Sequence, residues 1–306
     1  MSSVNDTISV NFESWFIVIN ITTIISLSLA ILLAIIFLTI VILNKTCQTT
    51  PIILASSSCV GEIIYGCDML SIAVFTLEND TKRRVFQDTF CRFRDYLGYL
   101  GTALLLYSFT LQALYRYIIV VYPTRISWQS VRVQSALICL SWLFCIISLL
   151  PWLVINTATY DVDNQACILP FRLSVPIIYN VTLVYIIPVS MNILIYFKLV
   201  RYVQQMSRRA TLSAQTLQQA RREVVMVRRS IITTSILLIL GLPYTIFMLM
   251  SFITRPPKYY YRIGIFFVDL SQTFIMIIVF KFSQPVMDVL LKTKRRFLNT
   301  VHPTMT

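Results

Sequence analysis

The sequence has few charged residues. Only 13% of its 306 residues are Asp, Glu, Lys or Arg, whereas 57% are hydrophobic. A soluble domain carries roughly 25% charged residues, so this composition argues against an ordinary soluble protein and indicates one that lies in lipid.

Candidate catalytic groups are also scarce. The single histidine, His302, lies in the C-terminal tail, and the sequence has no H-E-x-x-H motif, activated serine signature or adjacent aspartate pair. Enzymes and metal sites need convergent groups of this kind. We therefore predict a protein that is not an enzyme and that binds no metal or cofactor.

Basic residues outnumber acidic ones, and the formal net charge is +13. They cluster beside long apolar segments and form no soluble basic patch, which argues against a nucleic-acid partner and favours contact with membrane lipid.

The sequence is rich in long hydrophobic runs. A helical span needs about 20 predominantly apolar residues, and barrel strands would be shorter and alternate apolar with polar residues. We predict an all-α membrane protein, a bundle of seven transmembrane helices at about 16–43, 51–76, 92–121, 133–155, 175–199, 230–253 and 263–282. Residues 200–229 are predicted to extend the fifth and sixth helices.

The distribution of charge indicates the orientation. With the N-terminus outside, most of the 26 Lys and Arg residues fall on the cytoplasmic side and most acidic residues fall outside. We expect a plasma-membrane protein with an extracellular N-terminus (1–15), a seven-helix domain (16–282) and a cytoplasmic C-terminal segment (283–306). Because residues 1–15 contain no basic leader, the first span is expected to act as the insertion signal.

Two of the seven cysteines, Cys91 and Cys167, fall in predicted extracellular segments, where oxidation is permitted. They form either one disulfide bridge or two unpaired thiols. Asn5 and Asn79 each begin an N-linked acceptor pattern. Asn5 is predicted to be glycosylated, whereas Asn79 lies close to a span.

Arg116 lies in the apolar and aromatic run LQALYRYIIVVYP, and no acidic residue lies within four positions of it. A charge in the middle of the membrane costs at least ~2.5–3.5 kcal/mol. The side chain therefore either snorkels to the inner interface or pairs with a residue distant in sequence.

The order and spacing of several residues along nearly the whole chain resemble the rhodopsin-like (class A) G-protein-coupled receptors. The residues that carry the resemblance are Cys91, Arg116 in YRY, Trp142, Pro188, Tyr196, Glu223 and Pro243 in LGLPY. The resemblance implies a receptor that passes the binding of an extracellular ligand to a cytoplasmic heterotrimeric G protein through rearrangement of helices 3 and 6. A membrane transporter or channel is the alternative, although seven spans divide poorly into equal repeats.

The resemblance also implies roles for individual residues. Arg116 and Tyr117 match the acid-Arg-Tyr motif, and Glu223 matches the acid that pairs with the arginine at rest. The remaining matches are the activation tyrosine Tyr196, the Cys91–Cys167 bridge and the kink-forming Pro188 and Pro243.

Several positions depart from the family pattern. Tyr115 replaces the acid of the motif, Gly241 stands where a tryptophan is usual, and Phe280 ends the segment in place of Asn-Pro-x-x-Tyr. Glu62 replaces an aspartate in the second helix, and the family's sodium site is weakened. Glu62 is interpreted either as a functional intramembrane acid or as a protonated hydrogen-bond donor.

The ligand is expected to bind in the outer half of the bundle. The resemblance argues against biogenic amines, because Gly98 replaces their aspartate, and against retinal, because Lys281 lies at the inner end of the seventh helix. A peptide ligand is favoured, with the loop 156–174 as a hairpin lid. The candidate lining, whose aromatic members could instead serve packing, is Asp95, Tyr99, Thr102, Tyr179, Tyr244, Phe247, Phe266 and Asp269.

Apolar and basic residues alternate after the seventh span. Val286, Val289, Leu290 and Phe297 are interspersed with lysines and arginines. This pattern predicts a short amphipathic eighth helix on the membrane surface.

Overall fold

The computed structural model describes residues 13–83, 90–155, 158–169, 174–208, 214–254 and 256–301, without the side chains of 203, 206–230 and 293–301. Seven long helices dominate these residues. They are α1 (Ser14–Leu43), α2 (Thr50–Lys82), α3 (Cys91–Val121), α4 (Val131–Ile155), α5 (Val175–Asn180, then Val181–Ile186, then Ile187–Arg208), α6 (Ala214–Ile253) and α7 (Tyr260–Phe282).

Each of the seven helices contains a stretch long and apolar enough to cross a membrane. All backbone polar groups of a helix bond within the segment, which is why such runs are stable in lipid as helices. The predicted fold class is confirmed. An eighth helix, α8 (Gln284–Val301), follows α7 directly, and its Val286 is fully buried.

The main apolar core joins α1, α2, α3 and α7. Phe37 of α1, Tyr65 of α2, Leu105 of α3 and Ile275 of α7 all belong to this cluster. Small residues in this core allow the helix backbones to approach each other closely. They are common at helix contacts in membranes, where no hydrophobic driving force brings helices together. A Cβ atom at Gly101 of α3 would lie 2.8 Å from the Tyr65 Cα of α2, so that contact requires glycine.

A two-stranded antiparallel hairpin precedes α5. Its strands are β1 (Thr159–Asp161) and β2 (Ala166–Ile168), with Tyr160 opposite Cys167. The Asp161 carboxylate accepts hydrogen bonds from the backbone N–H groups of Asp163 and Asn164, which closes the turn. This is the hairpin expected in the loop 156–174.

A π-helical segment interrupts α5 at Val181–Ile186, just before Pro188. Proline lacks an N–H group, so the preceding carbonyls need other partners. The Tyr107 hydroxyl of α3 donates to one of these carbonyls, that of Leu183, at 3.1 Å. The irregular turn is therefore held in part by α3.

Candidate functional site

A cavity of about 150 Å³ lies in the bundle, walled by α2, α3, α5, α6 and α7. Cys167 and Ile168 of β2 also line it. Cys167 forms a disulfide with Cys91, the first residue of α3, across a separation of 76 residues. The expected bridge is present, and it fixes the hairpin against the third helix.

Four of the predicted lining residues, Asp95, Tyr99, Thr102 and Tyr244, line this cavity. The hydroxyl groups of Tyr99 and Tyr244 are hydrogen-bonded to each other, which joins α3 to α6. The Asp95 carboxylate accepts a hydrogen bond from the backbone N–H of Leu169, next to β2. The predicted face of α3 therefore faces the cavity.

The other four predicted residues lie elsewhere in the described bundle. Tyr179 is 39% exposed, contacts Trp152 and donates to the Ser148 carbonyl, so it packs on the outer α4–α5 surface. Phe247 and Phe266 are also absent from the described lining. An aromatic residue in a span indicates burial or interface contact but does not indicate which face of its helix it occupies.

Asp269 is buried between α7 and α2, where its carboxylate accepts a hydrogen bond from the Tyr65 hydroxyl at 2.7 Å. It lines a second, smaller cavity of about 40 Å³ beside the first. The structure therefore describes Asp269 as a polar link between helices, and its role in a ligand pocket stays a prediction.

Gly241 of α6 lines the main cavity, and a Cβ atom placed on it would meet no atom within 4 Å. The position where the family usually carries a tryptophan is therefore open space. Leu105, Leu106 and Leu237 are also part of this lining.

Glu62 is fully buried in α2, and neither of its carboxylate oxygens has a hydrogen-bond partner among the described residues. Its two interpretations, functional acid or protonated donor, therefore both remain predictions. Within the described part of the chain, no group of three His, Cys, Asp or Glu side chains is arranged to hold a metal ion.

Arg116 is buried near the C-terminal end of α3, with 8% of its surface exposed. Tyr196 of α5 packs there with Ala113 and Leu199, and Tyr117 lies against this cluster. The structure thus brings Arg116, Tyr117 and Tyr196 to one end of the bundle. The side chain of Glu223 and the whole of Asn5 lie outside the described residues, so the structure does not place either of them.

The remaining predicted switch and kink residues lie within helices. Phe280 of α7 is buried and meets Phe37 of α1 edge-to-face at 6.1 Å. Pro188 and Pro243 lie inside α5 and α6.

Sequence reasoning missed a buried ion pair at the end of the bundle where α2 ends and α7 begins. The Arg262 guanidinium of α7 donates to both carboxylate oxygens of Asp80 of α2, at 2.6 and 3.1 Å. Asn20 of α1 donates to the same carboxylate at 2.9 Å, and the guanidinium lies 4.3 Å from the Phe16 ring centroid. The two partners are 182 residues apart. The sequence did offer one signal for this pair: two opposite charges near the predicted outer ends of the second and seventh helices.

The same geometry bears on the second acceptor pattern. Asn79 is buried in the last turn of α2, beside Asp80. Glycans need an exposed asparagine, so the folded bundle has no room for one at Asn79.

The fold defines a class of protein: a seven-helix membrane protein with a cavity between its helices. The comparison with known families agrees. A profile described as 7 transmembrane receptor (rhodopsin family) matches residues 32–278, and the chain belongs to that family. No curated protein matches the chain.

Family membership establishes a G-protein-coupled signalling receptor in general terms and a multi-pass protein of the plasma membrane, and it points to a non-enzymatic receptor. Receptors of this family bind extracellular ligands and heterotrimeric G proteins.

Proposed function

We propose that the main cavity binds an extracellular ligand, with a peptide as the favoured class, and that binding activates a cytoplasmic G protein through movement of α6 relative to α3. The N-terminus is outside and the C-terminus is cytoplasmic in this proposal. The observation that carries it is the path of α3, which lines the cavity at Tyr99 and continues to the buried Arg116.

The local sequence of α6 favours movement there. Pro243 removes one backbone hydrogen bond, and Gly241 has low helix propensity and no packed neighbour at its Cβ position. The Thr245 hydroxyl donates to the Gly241 carbonyl at 3.0 Å, a local bond that often bends a helix. A ligand that binds one arrangement of this bend more tightly shifts the population toward it.

Arg116 supplies the inner part of the proposed switch. In the resting state it pairs with Glu223 of α6, which stands where the family's pairing acid stands. Separating a partly desolvated pair leaves uncompensated charge, so the pair favours the closed arrangement until ligand binding offsets its loss.

The experiment is Glu223→Ala. Removing the acid weakens the closed arrangement, and each 1.4 kcal/mol lost raises the active population about tenfold while it is small. We expect a several-fold rise in ligand-free G-protein activation, measured with a promiscuous reporter at matched surface expression. Asp288→Ala, which removes an exposed acid from α8, is the matched control. Unchanged basal activation with normal expression would refute the lock.

A further inference from the structure

Two carboxamide side chains line the main cavity, Asn180 of α5 and Gln272 of α7. Their residues are only 2% and 3% exposed. The amide oxygen of each accepts no hydrogen bond from any described group. Buried polar groups in proteins nearly always have a partner, so an unpaired carboxamide in a cavity wall marks a position for one.

Most other polar groups of the wall are already paired within the protein. The hydroxyl of Thr102 donates to the Gly98 carbonyl at 2.8 Å, and that of Ser271 donates to the Val268 carbonyl at 2.6 Å. Tyr65 donates to Asp269, Tyr99 bonds Tyr244, and Tyr185 bonds Thr245. Apart from the charged side chains of Arg94 and Asp95, hydrogen-bonding capacity for a ligand is therefore concentrated at the two carboxamides.

The described lining of the cavity has no net formal charge. It contains one acidic and one basic side chain, Asp95 and Arg94, which are neighbours in α3. The rest of the lining is uncharged and mostly apolar, including Leu106, Val184 and Leu237. A net charge on the ligand would lose its hydration without meeting an excess of opposite charge.

We propose that this cavity recognises a neutral group that both donates and accepts hydrogen bonds, a carboxamide, through Asn180 and Gln272. The inference rests on the proposed function in taking this cavity as the ligand site. A side-chain amide offers N–H donors and a carbonyl acceptor, and another amide complements both. A carboxylate cannot donate, and an ammonium group cannot accept.

The volume of the cavity sets the size of the recognised end group. The volume of about 150 Å³ is large enough for a benzene-sized molecule. The open space beside Gly241 accepts the apolar part of such a group. The ligand therefore inserts one amide-bearing end, and any larger remainder lies outside the cavity.

The test uses the full chain purified into lipid nanodiscs and four probes that share a phenyl ring and are of similar size: benzamide, benzoate, benzylamine and toluene. Binding is measured by saturation-transfer NMR and by thermal shift. We expect benzamide to bind at least tenfold more tightly than the other three. Tighter binding of benzoate or benzylamine than of benzamide overturns the inference.

Variants locate the contact. Gln272→Leu and Asn180→Leu should each weaken benzamide binding about tenfold and leave toluene binding unchanged, which also shows that the cavity is intact. Gln272→Glu should reverse the preference toward benzylamine. Gln204→Leu, an exposed glutamine at the inner end of α5, is the matched control. Benzamide binding that is equal in all variants overturns the assignment.

The outcome is separable from that of the proposed function. Glu223→Ala is read in cells without any ligand, whereas the probes report only on the cavity. Selective benzamide binding with unchanged basal signalling in Glu223→Ala supports the carboxamide site and refutes the switch. The converse result supports the switch and refutes the carboxamide site.

Discussion

α6 and α7 lie side by side in the bundle, yet their environments differ. In its most apolar window, 50% of α7 is buried but only 11% of α6. Three residues of α7, Arg262, Asp269 and Thr273, bond to side chains of α1 or α2. α7 is thus part of a fixed block with α1 and α2, whereas α6 borders that block.

The links of α6 to its neighbours include Tyr244 and Thr245, which bond to Tyr99 and Tyr185 beside the cavity. A ligand in the cavity therefore touches the contacts that position α6. We therefore expect conformational change to cost the least free energy in α6. Few of its apolar residues are buried, and Pro243 interrupts its backbone hydrogen bonds.

The largest effect is expected from Arg262→Ala. The substitution leaves the Asp80 carboxylate, only 2% exposed, without its cation. Removing one partner of a buried pair costs about 3–5 kcal/mol. Thermal and denaturant unfolding of the purified receptor should show this loss as a lower transition temperature.

Lys258→Ala is the control, because Lys258 forms an exposed ion pair with Asp163 at 3.3 Å. Hydrogen bonding to Asp163 raises the pKa of Lys258 above its ordinary value of 10.5. The pair's small contribution is therefore fully present at neutral pH and is lost only as the pH rises through that raised pKa. If Arg262→Ala and Lys258→Ala lower the transition temperature equally, the claim that α7 forms a fixed block with α1 and α2 is contradicted.

A smaller effect is expected from Tyr65→Phe. It removes the hydroxyl that donates to Asp269 between α2 and α7, and an unsatisfied buried acceptor costs about 1–3 kcal/mol. Tyr179→Phe removes a hydroxyl on the exposed α4–α5 surface and should cost less. Equal unfolding temperatures for Tyr65→Phe and Tyr179→Phe would contradict the claim that the bond between α2 and α7 stabilises the fixed block.

The smallest effect is expected from Gly241→Ala. The added Cβ meets no atom, and alanine is about 1 kcal/mol better than glycine inside a helix, so the variant should be slightly more stable. Gly101→Ala should instead be destabilising, because its Cβ would lie 2.8 Å from the Tyr65 backbone. Thermal unfolding of the two variants tests both predictions. A lower stability of Gly241→Ala would show that α6 is packed at this position.

Hydropathy predicted the helix limits well where apolar runs end sharply. The predicted spans 92–121 and 133–155 match Cys91–Val121 and Val131–Ile155 within two residues. The second span was placed at 51–76, but α2 continues to Lys82. Its last turns carry Asn79 and Asp80, which are polar in sequence yet buried. The cation that pairs with Asp80 comes from another helix, so hydropathy could not indicate that this turn is buried.

The site was predicted only in part for the same reason. The spacing of α3 indicated Asp95, Tyr99 and Thr102, whereas the α5 and α6 aromatics could not be assigned to a face. Asn180 and Gln272 carry no motif, and their interest comes from lacking partners at a place that only the folded bundle defines. The lack of a hydrogen-bond partner in the folded bundle produces no pattern in the amino-acid sequence.

The Asp80–Arg262 pair also has a consequence for biosynthesis. α2 is synthesised long before α7, so Asp80 lacks its cation until the last span has been made, although Asn20 of α1 can already donate to it. A chain truncated before residue 260 would leave this carboxylate without Arg262. Joining of α2 to α7 at this end of the bundle therefore depends on completion of the chain.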